Sequence, residues 1–369
     1  MSAAKGDQGL PLYLPARAAR NSNPELLRIL AMLLIVLYHS LLEEPYTLAV
    51  TAPSELRGSA VAMLIAFGRP ANNVFLLLAG YYGVQTPFRP HRLWNLAGQT
   101  WFYAAALAVL SAAANRALPG FSDLLQLLSP LSQNRWWFIT IYMGLMLFSP
   151  WLNRFLCSLE EGSLRRLCLL SFALFCLLPS VLLAVYGRIT NPLGASYLTW
   201  FFALYCIGAY FRRFPPKGKA SVQLRLALAW SAVLLLTTVL SVNFFGGVMD
   251  RLWYMHQPEY LPAFLSALHW VLYFIGRKPF TSRIINTVSG CTFGVYLLHT
   301  TVLEHLFPMT EHANGGGFYP YVLLAVFGTF ALCAAADFLF WQQIGQRIWT
   351  ALTGKAVQAV RKRRAPKPL

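Results

Sequence analysis

The amino-acid sequence predicts an all-α integral membrane protein, a polytopic helical bundle with about ten transmembrane helices. Only 12% of the 369 residues are charged and 57% are hydrophobic, whereas soluble globular chains are about one quarter charged. Apolar runs long enough to span a bilayer recur along the chain. Lysine and arginine are concentrated in alternate connecting segments, a distribution that orients membrane helices. A soluble protein of this length would need a polar surface that the sequence does not supply.

The predicted spans follow one another with mostly short loops. A span needs roughly 20 mostly apolar residues. The segments that meet this requirement are, in chain order, about 26–45, 67–84, 93–114, 135–155, 165–187, 197–212, 222–245, 259–276, 284–307 and 318–345. Residues 58–67 form either an additional buried helix or an extension of the second span. The second span has a weaker signal than most because it begins with Arg69, Pro70 and two asparagines.

The basic residues predict the orientation of the bundle. When the N-terminus is placed in the cytoplasm, most of the 30 lysines and arginines fall in cytoplasmic segments, as the positive-inside rule requires. Both termini are then cytoplasmic. Residues 1–25 form a polar N-terminal segment, residues 26–345 the membrane domain and residues 346–369 a basic tail. No secretory signal peptide is predicted, because no small-residue cleavage site closely follows the first apolar run.

The formal net charge of +17 does not indicate a nucleic-acid partner. The charges lie between apolar runs and form no basic face with interleaved aromatic residues. We therefore predict contact with the lipid bilayer and none with nucleic acid, and basic cytoplasmic loops that can attract an anionic cosubstrate. The six cysteines form no CxxC pair, so that neither a disulfide framework nor a metal site is predicted.

The first span, RILAMLLIVLYH, carries an ionisable residue near each end. Arg28 and His39 are separated by three helical turns plus about 20°, a rise of about 16 Å. They therefore lie on nearly the same face, which we predict to line a polar passage shared with other helices. A structural alternative is that Arg28 snorkels to the interface and His39 bonds to a neighbouring helix. However, an ionisable group inside a span is a functional candidate, and histidine can act as a general base.

These features resemble the membrane-bound acyltransferase family 3. Residues 23–40, NPELLRILAMLLIVLYHS, are similar to the arginine, ten residues, histidine pattern of that family's first span. Further segments resemble family motifs in the expected order: FLLLAGYYG (75–83), with Ala79 in place of the usual serine, FRPHRLW (88–94), RWWFIT (135–140) and SGCTFGVYLLHT (289–300). The resemblance extends from residue 23 to about 345, so residues 26–345 would form a membrane acyltransferase domain.

The resemblance implies transfer of an acyl group, usually acetyl, from cytoplasmic acyl-CoA to a hydroxyl of a sugar or another acceptor. The acceptor would be a cell-surface glycan, such as an exopolysaccharide or a lipopolysaccharide, or a lipid-linked sugar precursor. The protein would then be a multi-pass O-acetyltransferase of the bacterial inner membrane. Its cosubstrate would be acetyl-CoA or another acyl-CoA, and no metal would take part.

Arg28 and His39 are the predicted catalytic residues. His39 would act as the general base for the acceptor hydroxyl or, alternatively, as a transient acyl carrier. Arg28, Arg89 and Arg92 are predicted to bind the cosubstrate, because arginine holds phosphate groups through charge-assisted hydrogen bonds. Arg89 and Arg92 match the Arg-x-x-Arg of the family, although such residues also mark membrane topology.

A second group of residues is predicted to bind the acceptor or to support the site. His299, at a depth similar to that of His39, would bind the acceptor, orient His39 or only join two spans. Tyr296 belongs to the same motif. Asn72 and Asn73, at the outer start of the second span, would contact a sugar or cap the helix. Asp337, deep in the last span, is expected to pair with an arginine or a histidine.

Two other functions are compatible with the sequence. A transporter or flippase for a lipid-linked sugar would share the spans, the basic loops and the polar groups inside the membrane. It would not account for the spacing of Arg28 and His39 together with Arg89 and Arg92. A non-catalytic membrane scaffold or sensor would tolerate replacement of Arg28 and His39.

Overall fold

The computed structural model describes residues 20–42, 45, 56–116, 120–121, 127–132, 136–186, 197–244, 257–309, 312 and 316–354. These residues are almost entirely helical and include no β-strand. The predicted all-α class is therefore confirmed. Most of the predicted polar segment 1–25 and most of the predicted basic tail 346–369 lie outside the described residues.

The helices follow the order of the predicted spans. The α-helices are α1 (Asn23–Ser40), α2 (Leu56–Gly68), α3 (Pro70–Gly83), α4 (Pro90–Asn115), α5 (Trp137–Ser158), α6 (Glu161–Phe172), α7 (Leu178–Tyr186), α8 (Tyr197–Arg213), α9 (Ala220–Phe244), α10 (Leu261–Gly276), α11 (Arg283–Gly290), α12 (Thr292–Leu306) and α13 (Phe318–Ala336). A 3₁₀ turn covers Pro130–Ser132, and π-helical segments cover Ala173–Leu177 and Asp337–Gly345.

Within the described ranges, five helical stretches are long and apolar enough to cross a bilayer. They are Arg57–Gly83, Pro90–Ala114, Glu161–Leu182, Ala220–Leu240 and Phe318–Gly354. Helix α10 is shorter but also apolar. These stretches indicate a helical membrane protein. The count of about ten spans and the cytoplasmic position of both termini stay predictions.

The second predicted span starts earlier than expected. Helices α2 and α3 form one stretch, Arg57–Gly83, so residues 58–67 extend the span. Pro70 lies in the first turn of α3, where its missing N–H donor is tolerated. Arg69 keeps a right-handed helical backbone and thus lies in the middle of this stretch rather than near its start. Its guanidinium carbon is 4.1 Å from the centre of the Tyr38 ring in α1.

The ninth predicted span, residues 284–307, is divided into α11 and α12. The Cys291 N–H donates to the carbonyl oxygen three residues earlier over 3.0 Å, which closes α11 with a turn. Helix α12 then begins at Thr292. The turn brings Ser289, Gly290 and Thr292 to the wall of one cavity. The break between the two helices therefore shapes the site.

Helix α1 packs against α2, α3, α10, α11, α12 and α13. Val36, in the middle of α1, is fully buried. Helices α3 and α8 also pack closely in this core. A Cβ atom at Gly80 would overlap the Tyr205 backbone, and a Cβ atom at Gly208 would overlap the Leu77 carbonyl oxygen. Small residues let membrane helices approach backbone to backbone. The helix that carries the predicted site therefore has protein neighbours on several sides.

The last helix is longer than predicted. It starts at Phe318, passes through the π-helical segment Asp337–Gly345 and is still helical at Gly354, the last described residue. The predicted boundary of the membrane domain, at residue 345, thus falls inside a continuous helix. A π-helical segment widens the turn and often accompanies a functional or strained site.

Candidate active site

Two cavities lie along helix α1, one toward each end. The larger one, which we name the Arg28 cavity, has a volume of about 300 Å³. Helices α1, α3, α4, α5, α11 and α12 all contribute to its wall. Most of the lining is apolar or aromatic, while Arg20, Glu25, Arg28 and Ser289 form a polar cluster. The cavity therefore combines a charged group of residues with an apolar interior.

The smaller cavity, which we name the His39 cavity, has a volume of about 180 Å³. Its wall is formed by the end of α1, the last two turns of α12 and the segment that follows α12. No described residue lines both cavities. The described residues therefore show two cavities along α1, and the single polar passage that the sequence predicted stays a prediction.

One stripe of α1 leads from the first cavity to the second. Arg28, Met32 and Ile35 line the Arg28 cavity, and His39 follows Ile35 by one turn and lines the other cavity. Steps of three and four residues keep these side chains on one face. The His39 Nδ1 is 2.9 Å from the Ile35 carbonyl oxygen, which fixes the orientation of the imidazole ring.

Arg28 is bound to a buried carboxylate that sequence reasoning missed. Glu25 is 5% exposed. Its oxygens accept hydrogen bonds from Arg28 Nη1 over 2.7 Å, from Arg20 Nη2 over 2.8 Å and from Ser289 Oγ over 2.5 Å. Two arginines around one carboxylate leave this end of the cavity cationic. The spacing of three residues between Glu25 and Arg28 is the signal that could have identified the pair.

Hydrogen bonds fix the start of α1 to the connection between α10 and α11. Ser22 Oγ donates to Asn286 Oδ1 over 2.9 Å and accepts from the Ser282 N–H over 2.8 Å. The Asn23 side-chain amide donates to the Lys278 carbonyl oxygen over 3.0 Å. Ser22 and Asn23 are fully buried. These bonds hold the first turn of α1, and with it the arginine–carboxylate cluster, against α11.

At the other end of α1, His39 lies against His299 of α12. The His299 Nε2 is 3.3 Å from the His39 Nδ1, and the ring centres are 4.8 Å apart. The His299 Nδ1 lies 3.1 Å and 2.8 Å from the carbonyl oxygens of Val295 and Tyr296. Since a carbonyl oxygen can only accept, the Nδ1 atom of each histidine carries the proton. Sequence reasoning predicted both histidines, and the structure brings them together.

This proton assignment leaves one nitrogen of His39 able to act as a base. With the proton of the neutral ring on Nδ1, the lone pair lies on Nε2. The Nε2 atom makes no hydrogen bond with any described residue, and the ring borders the His39 cavity. His299 is 2% exposed, and its Nε2 atom contacts the Nδ1 side of the His39 ring, away from the His39 Nε2. His39 can thus accept a proton from a group bound in that cavity.

Three further predicted residues have different positions. Tyr296 and Asn72 line the Arg28 cavity. Asn73 does not, because its side-chain amide donates to the Pro258 carbonyl oxygen over 2.5 Å and accepts from Trp200 Nε1 over 3.0 Å. Both asparagines lie within the continuous stretch of α2 and α3, not at its outer start. Asn73 therefore joins helices, and Asn72 is the one that faces the cavity.

Arg89 and Arg92 lie at the start of α4. Arg89 is the residue before the helix and Arg92 belongs to its first turn, and both are exposed. Neither lines the Arg28 cavity, but Leu96, one helical turn after Arg92, does. Arg92 is therefore near the edge of the cavity wall, where a ligand that extends out of the cavity would meet it.

The prediction that Asp337 pairs with an arginine or a histidine is wrong. Its buried carboxylate accepts hydrogen bonds from the amides of Gln99 (2.6 Å) and Gln342 (3.2 Å) and from the Tyr103 hydroxyl (2.9 Å). A Cβ atom at Gly294 would overlap this carboxylate, so α12 passes directly beside it. Neutral donors satisfy the buried acceptor here, and the cluster joins α4, α12 and the last helix.

The fold and the site together define a helical membrane protein with an arginine cluster and a histidine pair at opposite ends of one helix. The family model of the acyltransferase domain, acyltransferase family 3, matches residues 21–339. The chain belongs to this family and is a membrane acyltransferase. The matched range contains Arg28, His39 and His299. Comparison with curated proteins and with solved structures gave no match.

Proposed function

We propose that this protein transfers an acyl group, in the first instance acetyl, from cytoplasmic acyl-CoA to a hydroxyl of a cell-surface glycan or glycolipid precursor. It would act as a multi-pass protein of the bacterial inner membrane with both termini in the cytoplasm. The observation that carries the proposal is the position of His39. The His39 ring borders one cavity, and the helix that bears it lines a second cavity with arginines at the far end.

The Arg28 cavity suits acyl-CoA. This cosubstrate is an anion with several phosphate groups and a long pantetheine arm. Arg20 and Arg28 at the cavity, with Arg89 and Arg92 exposed nearby, supply cations for the phosphates. The apolar and aromatic remainder of the cavity suits the arm. The rise from Arg28 to His39, about 16 Å along the helix, is of the same order as the length of an extended arm.

Acyl transfer requires a base for the acceptor hydroxyl. The His39 Nε2 would take the hydroxyl proton while the hydroxyl oxygen attacks the thioester carbonyl carbon. A C–O bond forms, the C–S bond breaks, and the imidazolium returns the proton to the departing sulfur. The products are an ester and the free thiol of CoA. In the alternative route, the His39 Nε2 first takes the acyl group and then passes it to the acceptor.

Thioester cleavage by the purified protein tests the proposal. Full-length protein in lipid nanodiscs would be incubated with acetyl-CoA and envelope glycans extracted from cells that lack the protein. We expect CoA thiol and acetylated glycan in equal amounts, measured by thiol titration and mass spectrometry. A CoA analogue with a methylene group in place of the thioester sulfur should bind and give no product, because its acyl group cannot leave.

A transporter or flippase predicts the opposite result. It would move a lipid-linked sugar across the membrane while acetyl-CoA stays intact. Intact acetyl-CoA, together with the same glycan acyl content in cells with and without the protein, would overturn the proposal of acyl transfer.

A further inference from the structure

The His39 cavity has room for about one sugar residue. Its volume is about 180 Å³. Since one water molecule needs about 10–15 Å³ of such cavity volume, the space holds on the order of ten water molecules, which is comparable with one sugar ring. A single ring can enter such a space while the rest of a glycan chain stays outside. A cavity of this size would therefore recognise one sugar unit of the acceptor rather than a longer stretch of the glycan.

Two polar side chains in the cavity wall have no partner in the part of the chain that the structure describes. Thr300 and Glu304 lie one turn apart on α12, and both line the cavity with His39. Glu304 is exposed and Thr300 is half-buried. Neither the Thr300 hydroxyl nor the Glu304 carboxylate makes a hydrogen bond or ion pair with a described residue. Ser40 in the same wall differs, because its hydroxyl already donates to the Leu37 carbonyl oxygen over 2.8 Å.

The rest of the wall is apolar and includes an aromatic ring. The Phe307 ring packs against α13 at Gly328, where a Cβ atom would come within 2.8 Å of the ring. Leu303, Pro308 and Met309 complete this side. A ligand site commonly combines an apolar wall with a few polar groups that fix the orientation of the ligand. A sugar ring matches this wall, because it has C–H faces and hydroxyl edges.

The charge of the wall restricts which sugar can bind. Glu304 is the one acidic side chain among the described residues that line this cavity, and no arginine or lysine accompanies it there. A carboxylate accepts hydrogen bonds from sugar hydroxyls and attracts an ammonium group, but it repels another carboxylate. We infer that the His39 cavity is the acceptor subsite, in which Glu304 and Thr300 bind a neutral or amino sugar in preference to an acidic sugar.

The inference rests on the proposed function and names the acceptor class for it. Glu304 and Thr300 would each bind a hydroxyl of the ring, and a further hydroxyl would then point to the His39 Nε2. Such residues act on acceptor binding and leave the donor cavity unchanged, because neither of them lines it.

Kinetics with matched acceptor pairs test the inference. The acceptors are the methyl glycosides of glucose, galactose and mannose and the corresponding methyl uronides, with acetyl-CoA as donor. We expect the protein to prefer each neutral sugar over its uronide. Glu304→Gln should raise the KM for the neutral sugars by about tenfold to a hundredfold, the range for a hydrogen bond to a charged group. The KM for acetyl-CoA should not change.

Charge reversal gives a sharper readout. Glu304→Arg should shift the preference toward the uronides, which a merely structural role of Glu304 would not do. Thr300→Val, which keeps the shape of the side chain, should raise the acceptor KM by a few-fold and serves as a second variant. Glu161→Gln is the matched control, because Glu161 is exposed at the start of α6 and lines neither cavity.

The outcomes separate the inference from the proposed function. Equal use of neutral and acidic sugars, or an unchanged acceptor KM and preference in Glu304→Gln, would overturn the inference while acetyl transfer stands. If only extracted glycan is acetylated, tandem mass spectrometry identifies the modified residue, and an acetyl group on a uronic or sialic acid would also overturn it. Absence of CoA release with every acceptor would refute acyl transfer itself, and the acceptor assignment with it.

Discussion

The two ends of helix α1 are built in opposite ways. At the Arg28 end, the charges are paired, and two arginines and a serine surround the buried Glu25 carboxylate. At the His39 end, two imidazole rings meet, and the His39 Nε2 and the Glu304 carboxylate have no partner among the described residues.

The Arg28 end therefore has the features of a preformed binding site, whereas the His39 end has those of a reactive site. Paired charges need no ligand to be stable, and they hold a fixed cationic field for an anion. The His39 Nε2 and the exposed Glu304 carboxylate have no partner to displace among the described residues, so they are suited to bind a group that arrives and reacts. Variants that alter only one end test whether the two ends have separate roles.

Removal of the base should have the largest effect. In His39→Gln, we expect kcat to fall by about 10²- to 10⁴-fold, the usual contribution of a general base, with little change in the KM for acetyl-CoA. The measurement is CoA release by the purified variant. His305→Gln is the matched control, since His305 is exposed and, among the described residues, its ring bonds only to the Thr301 carbonyl oxygen of its own helix. Full activity in His39→Gln would refute the role of the base.

Removal of the shared carboxylate should affect the donor end. In Glu25→Gln, Arg20 and Arg28 lose their common partner, so we expect the KM for acetyl-CoA to rise about tenfold and the free energy of unfolding to fall by about 1–3 kcal/mol. The KM for the acceptor should stay constant. Initial rates at varied donor and acceptor, with thermal unfolding, measure these effects. An equal rise in both KM values would contradict the separation of the two ends.

Loss of the orienting histidine should have a smaller effect than loss of His39. In His299→Leu, the ring of His39 loses the contact at its Nδ1, and we expect kcat to fall about tenfold. His299→Gln should recover part of this loss, because its side-chain oxygen can accept the same hydrogen bond. The double variant His39→Gln/His299→Leu should be no slower than His39→Gln alone, since the two residues act as one unit. Additive losses would show independent roles.

The exposed arginines should have the smallest effect. Arg89→Gln and Arg92→Gln should each raise the KM for acetyl-CoA by about two- to fivefold, because an exposed ion pair contributes about 0.2–1 kcal/mol. The effect should shrink at high salt. Arg154→Gln, an exposed arginine that lines neither cavity, is the control. An unchanged KM at low salt would leave Arg89 and Arg92 as topology markers only.

The sequence predicts the features that depend on near neighbours. Apolar runs predict helices, because a bilayer requires every backbone polar group to bond within the chain. The spacing of Arg28 and His39 predicts a common face, because the helical repeat is fixed. The sequence also contains the signal for the pairing of Glu25 with Arg28, because residues three positions apart are neighbours on the surface of a helix.

Other features depend on contacts between distant parts of the chain. The hydrogen bond from Ser289 to Glu25 joins residues 264 positions apart, and no local rule predicts it. Asp337 is satisfied by Gln99, 238 positions away, rather than by a basic residue. Arg69, Pro70 and two asparagines give the second span a weak signal in the sequence, because such residues are typical of a helix end. The structure places Arg69 inside a longer helical stretch, where its guanidinium packs against Tyr38.

The division between the Arg28 cavity and the His39 cavity bears on the membrane as well as on the reaction. An open channel through the bundle would conduct protons and dissipate the electrochemical gradient across the membrane in which we propose that the protein works. Because the Arg28 cavity and the His39 cavity share no described lining residue, the described part of the chain shows no such channel. Under the proposed function, acyl transfer at the histidines would then require no continuous water-filled path across the membrane, and the proton gradient would be maintained during the reaction.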